Sequence, residues 1–404
     1  MGLQKHSNLA RYALGNVLKY RTKSTAIIIA LVFSSTILCS AEFIREGLIT
    51  DITASLEEGP DLIVQKLIGG RQTTVPNQWK DNVSQTTGVN LATTRVWGYT
   101  DVGSGALFTI MGVNATEYGS VIGATGTDIL ENGRFLGQQD IGKIVIGKGI
   151  VDMMTASAAR ITIEVGSLLS LISYNGSLIE FEIIGIFNTD SNIFSYDMIL
   201  TDQNSARRLL GVDNSSCTDI AVWANQGAYL SDVAFRLDTT IAEARVLTRD
   251  AISDTMQKTY GERAGVIALL WAVMLATVVL LAFTISSAGS DETRREVGLL
   301  KALGFDTVDI LEVRMIESVV LGTLGASLGI SFAIIFDFVL GAPILSGFLL
   351  GWNVQIMNAG LPLAISIPTI FVVYSVAIIP ILVASVVPAW KNAITEPDVV
   401  LRGI

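Results

Sequence analysis

Four long apolar runs constrain this chain more than any other feature: Thr25–Ile44, Ala264–Ala288, Glu317–Leu340 and Leu363–Val387. A bilayer offers no water to backbone polar groups, so a spanning segment must satisfy its own hydrogen bonds. An α-helix does this in about 20 residues. Each run meets that length. The expected fold class is a polytopic α-helical membrane protein with four transmembrane helices and a large domain between helices one and two. Composition agrees, with 50% hydrophobic and only 16% charged residues, where a soluble domain carries about 25% charged. The first run exceeds the apolar core of a cleavable signal and no small-x-small cleavage site stands out, so it is expected to remain as an anchor.

Lys and Arg near the runs set the expected orientation. The first 24 residues hold Lys5, Arg11, Lys19, Arg21 and Lys23 and no acid. That end is expected in the cytoplasm, and four crossings return the C-terminus there, with Lys391 and Arg402. The linker carrying Arg294, Arg295 and Lys301 falls on the same side. The segment of about 45–261 is then expected outside. Residues 42–261 carry 26 acids and 15 Lys/Arg, so the acidity of the chain resides in this segment, and no basic stripe points to nucleic acid.

This outer segment reads as a folded α+β domain. Strand-like runs lie at Pro60–Leu67, Ala106–Val113, Lys143–Gly147, Ile161–Gly166, Leu168–Ser173 and Ile179–Phe187, with an Asn-Gly turn at Tyr174-Asn175-Gly176-Ser177. One helix is expected over Thr201–Gly211, opened by Thr201 or Asp202 and closed by Gly211. A second is expected from a capping box of Thr240 and Glu243, running toward Lys258 with Ile241, Ala244, Leu247 and Ala251 on one face. About 215 residues suffice for one core or two subdomains.

Between the second and third runs stands the charged stretch Asp291–Phe305, "DETRREVGLLKALGF". On a helix Val297, Leu300 and Gly304 share a face, with Leu303 beside them, while Arg294, Arg295 and Lys301 point elsewhere. Gly304 suits the position that ends a helix, and Asp306 with Asp309 can cap the next one. Read from physics alone, this amphipathic helix is either a charged anchor at the inner face or a contact for a partner.

The residues of "ETRREVGLLKALG" resemble the coupling signature of the FtsX/MacB-like permeases of ATP-binding cassette systems, the type VII class. Asn8–Phe33 resembles the family's interfacial helix and first span. Pro388, Ala389, Ala393, Pro397, Leu401 and Arg402 resemble its closing motif, and Gly133–Met154 and Glu164–Phe187 follow its periplasmic core pattern more loosely. The resemblance implies an interfacial helix at 1–24, a first span at 25–44, an extracytoplasmic domain at 45–261 and a permease domain at 262–404. That domain would hold a coupling helix at 291–304 and a cytoplasmic tail at 388–404. Glu292, Arg294, Arg295, Glu296, Val297, Gly298, Leu300, Lys301 and Gly304 would meet a separate ATPase, with the Val297 and Leu300 face entering its groove and Arg295 and Glu296 at the rim.

The implied working unit is two permeases, as homodimer or heterodimer, with two ATPases in a cell membrane. ATP would be bound by the partner, and this chain would hold no cofactor and catalyse nothing. The implied action is mechanotransmission, in which ATPase closure moves the outer domains to export or extract a substrate. The alternative is a signalling subunit that switches an extracytoplasmic cell-wall hydrolase.

The remaining features are weaker. Gly137–Ile144 nearly forms a phosphate loop but has Ile144 where Ser or Thr would hold magnesium. His6 is the one histidine, which excludes a Ser-His-Asp triad, and is expected to be solvated. Cys39 and Cys217 imply no disulfide framework. Gly322, Gly325 and Gly329 permit a close helix crossing, within the chain or across a dimer. Arg314 and Glu317 are placed to pair, and Asp337 is expected at a water-facing or snorkelling position. Asn82, Asn114, Asn175 and Asn214 open glycosylation sequons, a three-residue pattern that chance also produces.

Overall fold

A computed structural model describes residues 2–57, 59–101, 107–119, 130–156, 162–188, 197–262, 297–343 and 362–394, with scattered positions over 269–280 and residue 345. The chain divides into two compact units. A membrane unit is built from Met1–Gly47, Glu262–Leu349 and Leu363–Ile404, and a sheet unit from Leu48–Gly261 and Leu350–Pro362.

In the membrane unit α1 is Gly2–Lys19 and α2 is Arg21–Glu57, while α9 is Thr307–Phe338 and α10 is Ile367–Ile394. Helices α2, α9 and α10 are each long and apolar enough to cross a membrane, at the first, third and fourth expected spans. The expected second span, Ala264–Ala288, lies mostly outside the described residues. Leu31, Leu38 and Phe43 of α2, Ala326 and Ala333 of α9, and Val373, Ala377 and Ile381 of α10 form one buried cluster. Polar side chains link the helices inside this apolar packing. Ser318 shares a hydrogen bond with Ser385 at 2.7 Å and Ser327 with Tyr374 at 2.8 Å, as expected where lipid offers no other partner.

One expectation is corrected here. Asp337 is not water-facing: it is 2% exposed and accepts a hydrogen bond from Ser40. The small side chains of this crossing let α2 come close enough to cover it. His6 is exposed, as expected, and α1 packs along α9 so that His6 Nδ1 stands 2.5 Å from Glu312.

The sheet unit holds an eleven-stranded sheet among the described residues. Its strands are β1 (Leu62–Ile68), β2 (Arg71–Thr73), β4 (Val89–Asp101), β5 (Leu107–Val113), β6 (Leu130–Gly133) and β7 (Lys143–Gly147). They continue with β8 (Leu168–Ile172), β9 (Leu178–Phe187), β10 (Met198–Asp202), β12 (Asp219–Ala224) and β13 (Ala244–Thr248). The order is β13-β1-β12-β4-β5-β10-β7-β9-β6, with β2 on β1 and β8 on β9. A separate pair joins β3 (Val75–Pro76) to β11 (Ser216–Cys217). Most neighbours are antiparallel, but β5/β10 and β7/β9 are parallel.

Alternation along the central strands fills both faces of the sheet. Ile110, Ile144, Ile146 and Ile199 enter one cluster, while Met111, Val145, Met198 and Leu200 enter another. A third cluster is formed around Leu62, Val64, Ile220 and Val222. Among the described residues six short helices complete the unit: α3 (Trp79–Ser84), α4 (Ala115–Gly119), α5 (Lys148–Ala156), α6 (Gln203–Leu210), α7 (Leu230–Thr240) and α8 (Arg249–Glu262).

Helix α6 forms as its sequence predicts. Asp202 accepts from the Ser205 amide at 3.0 Å, and Gly211 ends the helix at φ 71°. The capping box at Thr240 does not form. Thr240 instead closes α7, and its hydroxyl donates back to Arg236 O at 2.7 Å. Glu243 turns the chain at φ 67°, and Ala244–Thr248 pair with β1. The real start of the next helix is Thr248, whose hydroxyl accepts from the Ala251 amide at 3.1 Å. Nor do the described residues of the expected Ile161–Gly166 strand, 162–166, form a strand. The described part turns at Val165–Gly166, where Glu164 and Ser167 close a local turn, and hydrogen bonds to Ile183 of β9 begin at Gly166 and Ser167, just before β8.

Candidate functional site

The described part of the charged stretch is a short helix, residues 297–302. Its end follows from glycine. Gly304 has φ 92°, the left-handed region that side chains avoid. This geometry lets the Gly304 amide donate to Lys301 O at 3.0 Å and the Phe305 amide to Leu300 O at 3.1 Å, a Schellman stop that satisfies two carbonyls of the last turn. One residue later Asp306 and Asp309 form the expected capping box at the start of α9. The Asp306 amide donates to Asp309 Oδ2 at 3.2 Å.

The faces of this helix differ from the expectation. Val297 is 4% exposed and Leu300 is 9% exposed, and Val297 packs against Ile310 of α9. Gly298 is buried as well. These residues hold the helix to its own chain, so the Val297 and Leu300 face is not free to enter a groove. The reason is the tight turn at Gly304, which folds the helix back on the start of α9. The opposite face is open: Leu299 is 61% exposed and Leu303 is 69% exposed, with Ala302 also exposed and Lys301 half-buried. Leu299 and Leu303 stand one turn apart and so share a face. The same amphipathic pattern could have indicated them, but it cannot tell which apolar side the chain itself covers. Glu292, Arg294, Arg295 and Glu296 lie outside the described residues.

Helix α1 braces this corner. Leu9 and Ala13 pack on Val313 of α9, with Phe305 and Ile316 alongside. Lys5 pairs with Asp309 at 2.7 Å, and Asn16 donates to Glu317 at 2.9 Å. Arg314 pairs with Glu317 at 2.7 Å, as its spacing suggests. One carboxylate, Asp309, thus serves both the cap of α9 and the anchor of α1.

The three small residues of α9 face neighbours in the same chain. A Cβ added to Gly322 would stand 2.8 Å from Ile378 of α10. One on Gly325 would stand 2.5 Å from Leu31 Cβ, and one on Gly329 would stand 2.5 Å from Ser35 Cβ, both on α2. Nothing in the sheet unit offers a nucleotide cradle at Gly137–Ile144. Asp140 occupies that turn, accepting from the Gly137 amide at 2.8 Å and from Arg134 at 2.7 Å. The Arg134 hydrogen bond holds its carboxyl well below the usual range. Among the described residues no group of His, Cys, Asp and Glu could hold a metal ion.

Comparison with known proteins bears on the C-terminal part of this corner. Residues 268–397 match the FtsX-like permease C-terminal family. An ABC transporter permease of Methanocaldococcus jannaschii is 24% identical over 222 residues, 52% of each chain. The chain thus spans about half the length of the curated relative it matches. Two solved structures resemble about half of this chain. They are the periplasmic region of MacB from Actinobacillus actinomycetemcomitans (14% identity, TM-score 0.35, covering 51% of this chain and 97% of that one) and the extracellular domain of the noncanonic ABC-type transporter YknZ from Gram-positive bacteria (12%, 0.34, 46% and 99%). The segment that holds the 297–302 helix, α9 and α10 is therefore similar to the C-terminal part of FtsX-like permeases, in a chain with three helices long and apolar enough to cross a membrane.

Proposed function

We propose that this chain is the permease subunit of an ATP-binding cassette system and that the 297–302 helix is its contact with a separate ATPase. The observation that carries this reading is the two-sided helix. Val297 holds it to Ile310 of α9 and Leu300 is buried, while Leu299 and Leu303 expose an apolar face that a lone protein gains nothing by exposing. A push on that face passes through the Val297–Ile310 contact into α9 and, through Leu9 and Ala13, into α1. Motion so transmitted would act on the sheet unit outside the membrane, and two permeases with two ATPases would form the working unit. Glu292, Arg294, Arg295 and Glu296 would supply the polar part of the contact.

Leu303→Asp tests this directly. An aspartate carboxylate buried in an apolar contact costs several kcal/mol unless it is paired. Each 1.4 kcal/mol is about tenfold in affinity, so co-purification of the ATPase and its stimulation by the permease are expected to disappear. The variant's own thermal stability should stay at the wild-type value, because Leu303 contacts solvent. Leu300→Asp should instead destabilise the corner itself. Normal binding and stimulation by Leu303→Asp would reduce the stretch to a charged anchor.

Orientation has its own test. Cys39 and Cys217 are both buried, and burial pushes the Cys217 thiol up to about 12, so the native background is expected to stay silent to a thiol reagent. In intact cells an impermeant maleimide is expected to label Asn175→Cys and to leave Lys301→Cys unlabelled. The reverse pattern would overturn the outside placement of the sheet unit.

A further inference from the structure

The four Asn-x-Ser/Thr sequons, at Asn82, Asn114, Asn175 and Asn214, all lie in the sheet unit, and the sequence of the membrane unit contains none. We propose that Asn175 is an acceptor for an N-linked glycan, taken from an oligosaccharide carried on a polyisoprenyl phosphate or diphosphate. The inference rests on the outside placement of the sheet unit.

Local geometry separates Asn175 from the other three. It sits at the tip of the β8–β9 hairpin, closed by Gly176 at φ 82° and by hydrogen bonds from the Ser173 amide to Ser177 O and from the Gly176 amide to Ser173 O, both 2.8 Å. Tyr174, Asn175, Gly176, Ser177 and Leu178 are all exposed. Asn175 Oδ1 accepts from the Ser177 amide at 3.0 Å and from the Ser177 hydroxyl at 2.7 Å. The two groups that define a sequon, the amide and the hydroxyl two residues on, are therefore held together on a solvent-facing turn. These bonds use the oxygen and leave the amide nitrogen outside them.

An amide nitrogen is a poor nucleophile because its lone pair is delocalised into the carbonyl. A transferase has to surround the side chain to overcome this, so the acceptor segment must be reachable without breaking structure. At Asn175 it is. Asn82 lies within helix α3, which would have to unwind. Asn114 is half-buried and accepts from the Thr116 and Glu117 amides, while the Thr116 hydroxyl accepts from Gln138 at 2.6 Å. Asn214 is exposed, but its +2 residue, Ser216, is already paired in β11.

The transfer itself is balanced. A bond forms between Asn175 Nδ2 and the anomeric carbon while the bond from that carbon to the phosphate oxygen breaks. The polyisoprenyl phosphate or diphosphate leaves with the electron pair, the amide gives up one proton to a base, and nothing is oxidised.

Peptide mass spectrometry of the full chain purified from its native membranes tests the proposal. The Asn175 peptide is expected to carry a hexose- or hexosamine-containing mass in most copies. Asn175→Gln and Ser177→Ala should each abolish it, and Asn82→Gln should leave it in place. A bare Asn175 peptide as the main form overturns the proposal, as does a sugar retained after Ser177→Ala. If the bare peptide comes with Asn175→Cys labelled from outside, the glycan inference fails alone. If Asn175→Cys is also closed to the reagent, the outside placement fails with it.

Discussion

Asp219→Ala is expected to lower the thermal midpoint of the sheet unit by roughly 10 °C, since breaking a buried pair costs about 3–5 kcal/mol and a domain of this size shifts about 2–4 °C per kcal/mol. Asp219 on β12 stands directly opposite Arg95 on β4 in the register of the sheet. They are 1% and 6% exposed. The guanidinium donates twice, Nε to Oδ1 and Nη2 to Oδ2, each at 2.8 Å, and Trp97 Nε1 donates to Oδ2 at 2.9 Å. Alanine would strip three charge-assisted bonds at once and leave a cation with no counter-ion where water cannot reach it. The penalty comes from the stranded arginine more than from the lost pair, so replacing both residues by apolar ones of similar volume should recover much of the stability. Asp213→Ala is the control, since Asp213 lies exposed in a loop and bonds only its close neighbours. Thermal unfolding of the full chain in detergent, followed by tryptophan emission, reads the effect. Equal midpoints for Asp219→Ala and Asp213→Ala would mean that the pair does not hold these strands.

That pair was invisible in the sequence, and the reason is general to this molecule. What could be read were features written in local order. Three spans followed from uninterrupted apolar length, α6 from Asp202 and Gly211, the β8–β9 hairpin from Asn175-Gly176, and the end of the 297–302 helix from Gly304. Arg95 and Asp219 are brought opposite each other only by strand order, and no spacing between them carries a signal. The Thr240–Glu243 misreading has a similar origin. A threonine hydroxyl can accept from amides ahead of it or donate to a carbonyl behind it. Here Val233 and Leu237, buried on the preceding turns, decide for the second. Ala244 and Val246 then pack against the core with the period of a strand.

The candidate site was legible in part for the same reason. Amphipathicity showed that the stretch has an apolar face, and the glycine showed where it stops. Which side α9 covers depends on the fold-back at Gly304 and the contact with Ile310, both of them tertiary. The exposed pair, Leu299 and Leu303, could be named only after the covered pair was known. Leu9, Ala13 and Lys5 joined the site in the same way, through a helix distant in sequence.

Gly325→Leu is expected to prevent the membrane unit from forming a stable packed bundle. A membrane offers little hydrophobic drive between helices, since lipid tails are as apolar as leucine, and close van der Waals packing has to hold them together. At Gly325 that packing leaves no room. A single Cβ would already stand 2.5 Å from Leu31 Cβ and 3.0 Å from Leu31 Cδ1, well inside contact distance, and leucine adds three further carbons. Leu31 is itself buried in the cluster that joins α2, α9 and α10, so it cannot swing aside without disturbing that cluster. The backbones must separate, and Gly329, one turn along, loses its contact with Ser35 and Val32 as they do. The hydrogen bond from Thr36 Oγ1 to Gly329 O, now 3.2 Å, breaks with it. Asp337, covered by α2 through Ser40, is exposed by the same separation. Overpacking a core ordinarily costs about 1–3 kcal/mol; here the clash involves a Cβ fixed to a helix backbone, and the cost should reach the top of that range or pass it. Leu328→Ala is the comparison, because Leu328 is 45% exposed on the same helix and its truncation removes little packing. Melting of the purified protein in detergent should show a lower midpoint or aggregation for Gly325→Leu, a smaller loss for Gly325→Ala and a near wild-type curve for Leu328→Ala. A mild effect at Gly325 equal to that at Leu328 would place Gly325 against lipid and remove the α2–α9 crossing from its position.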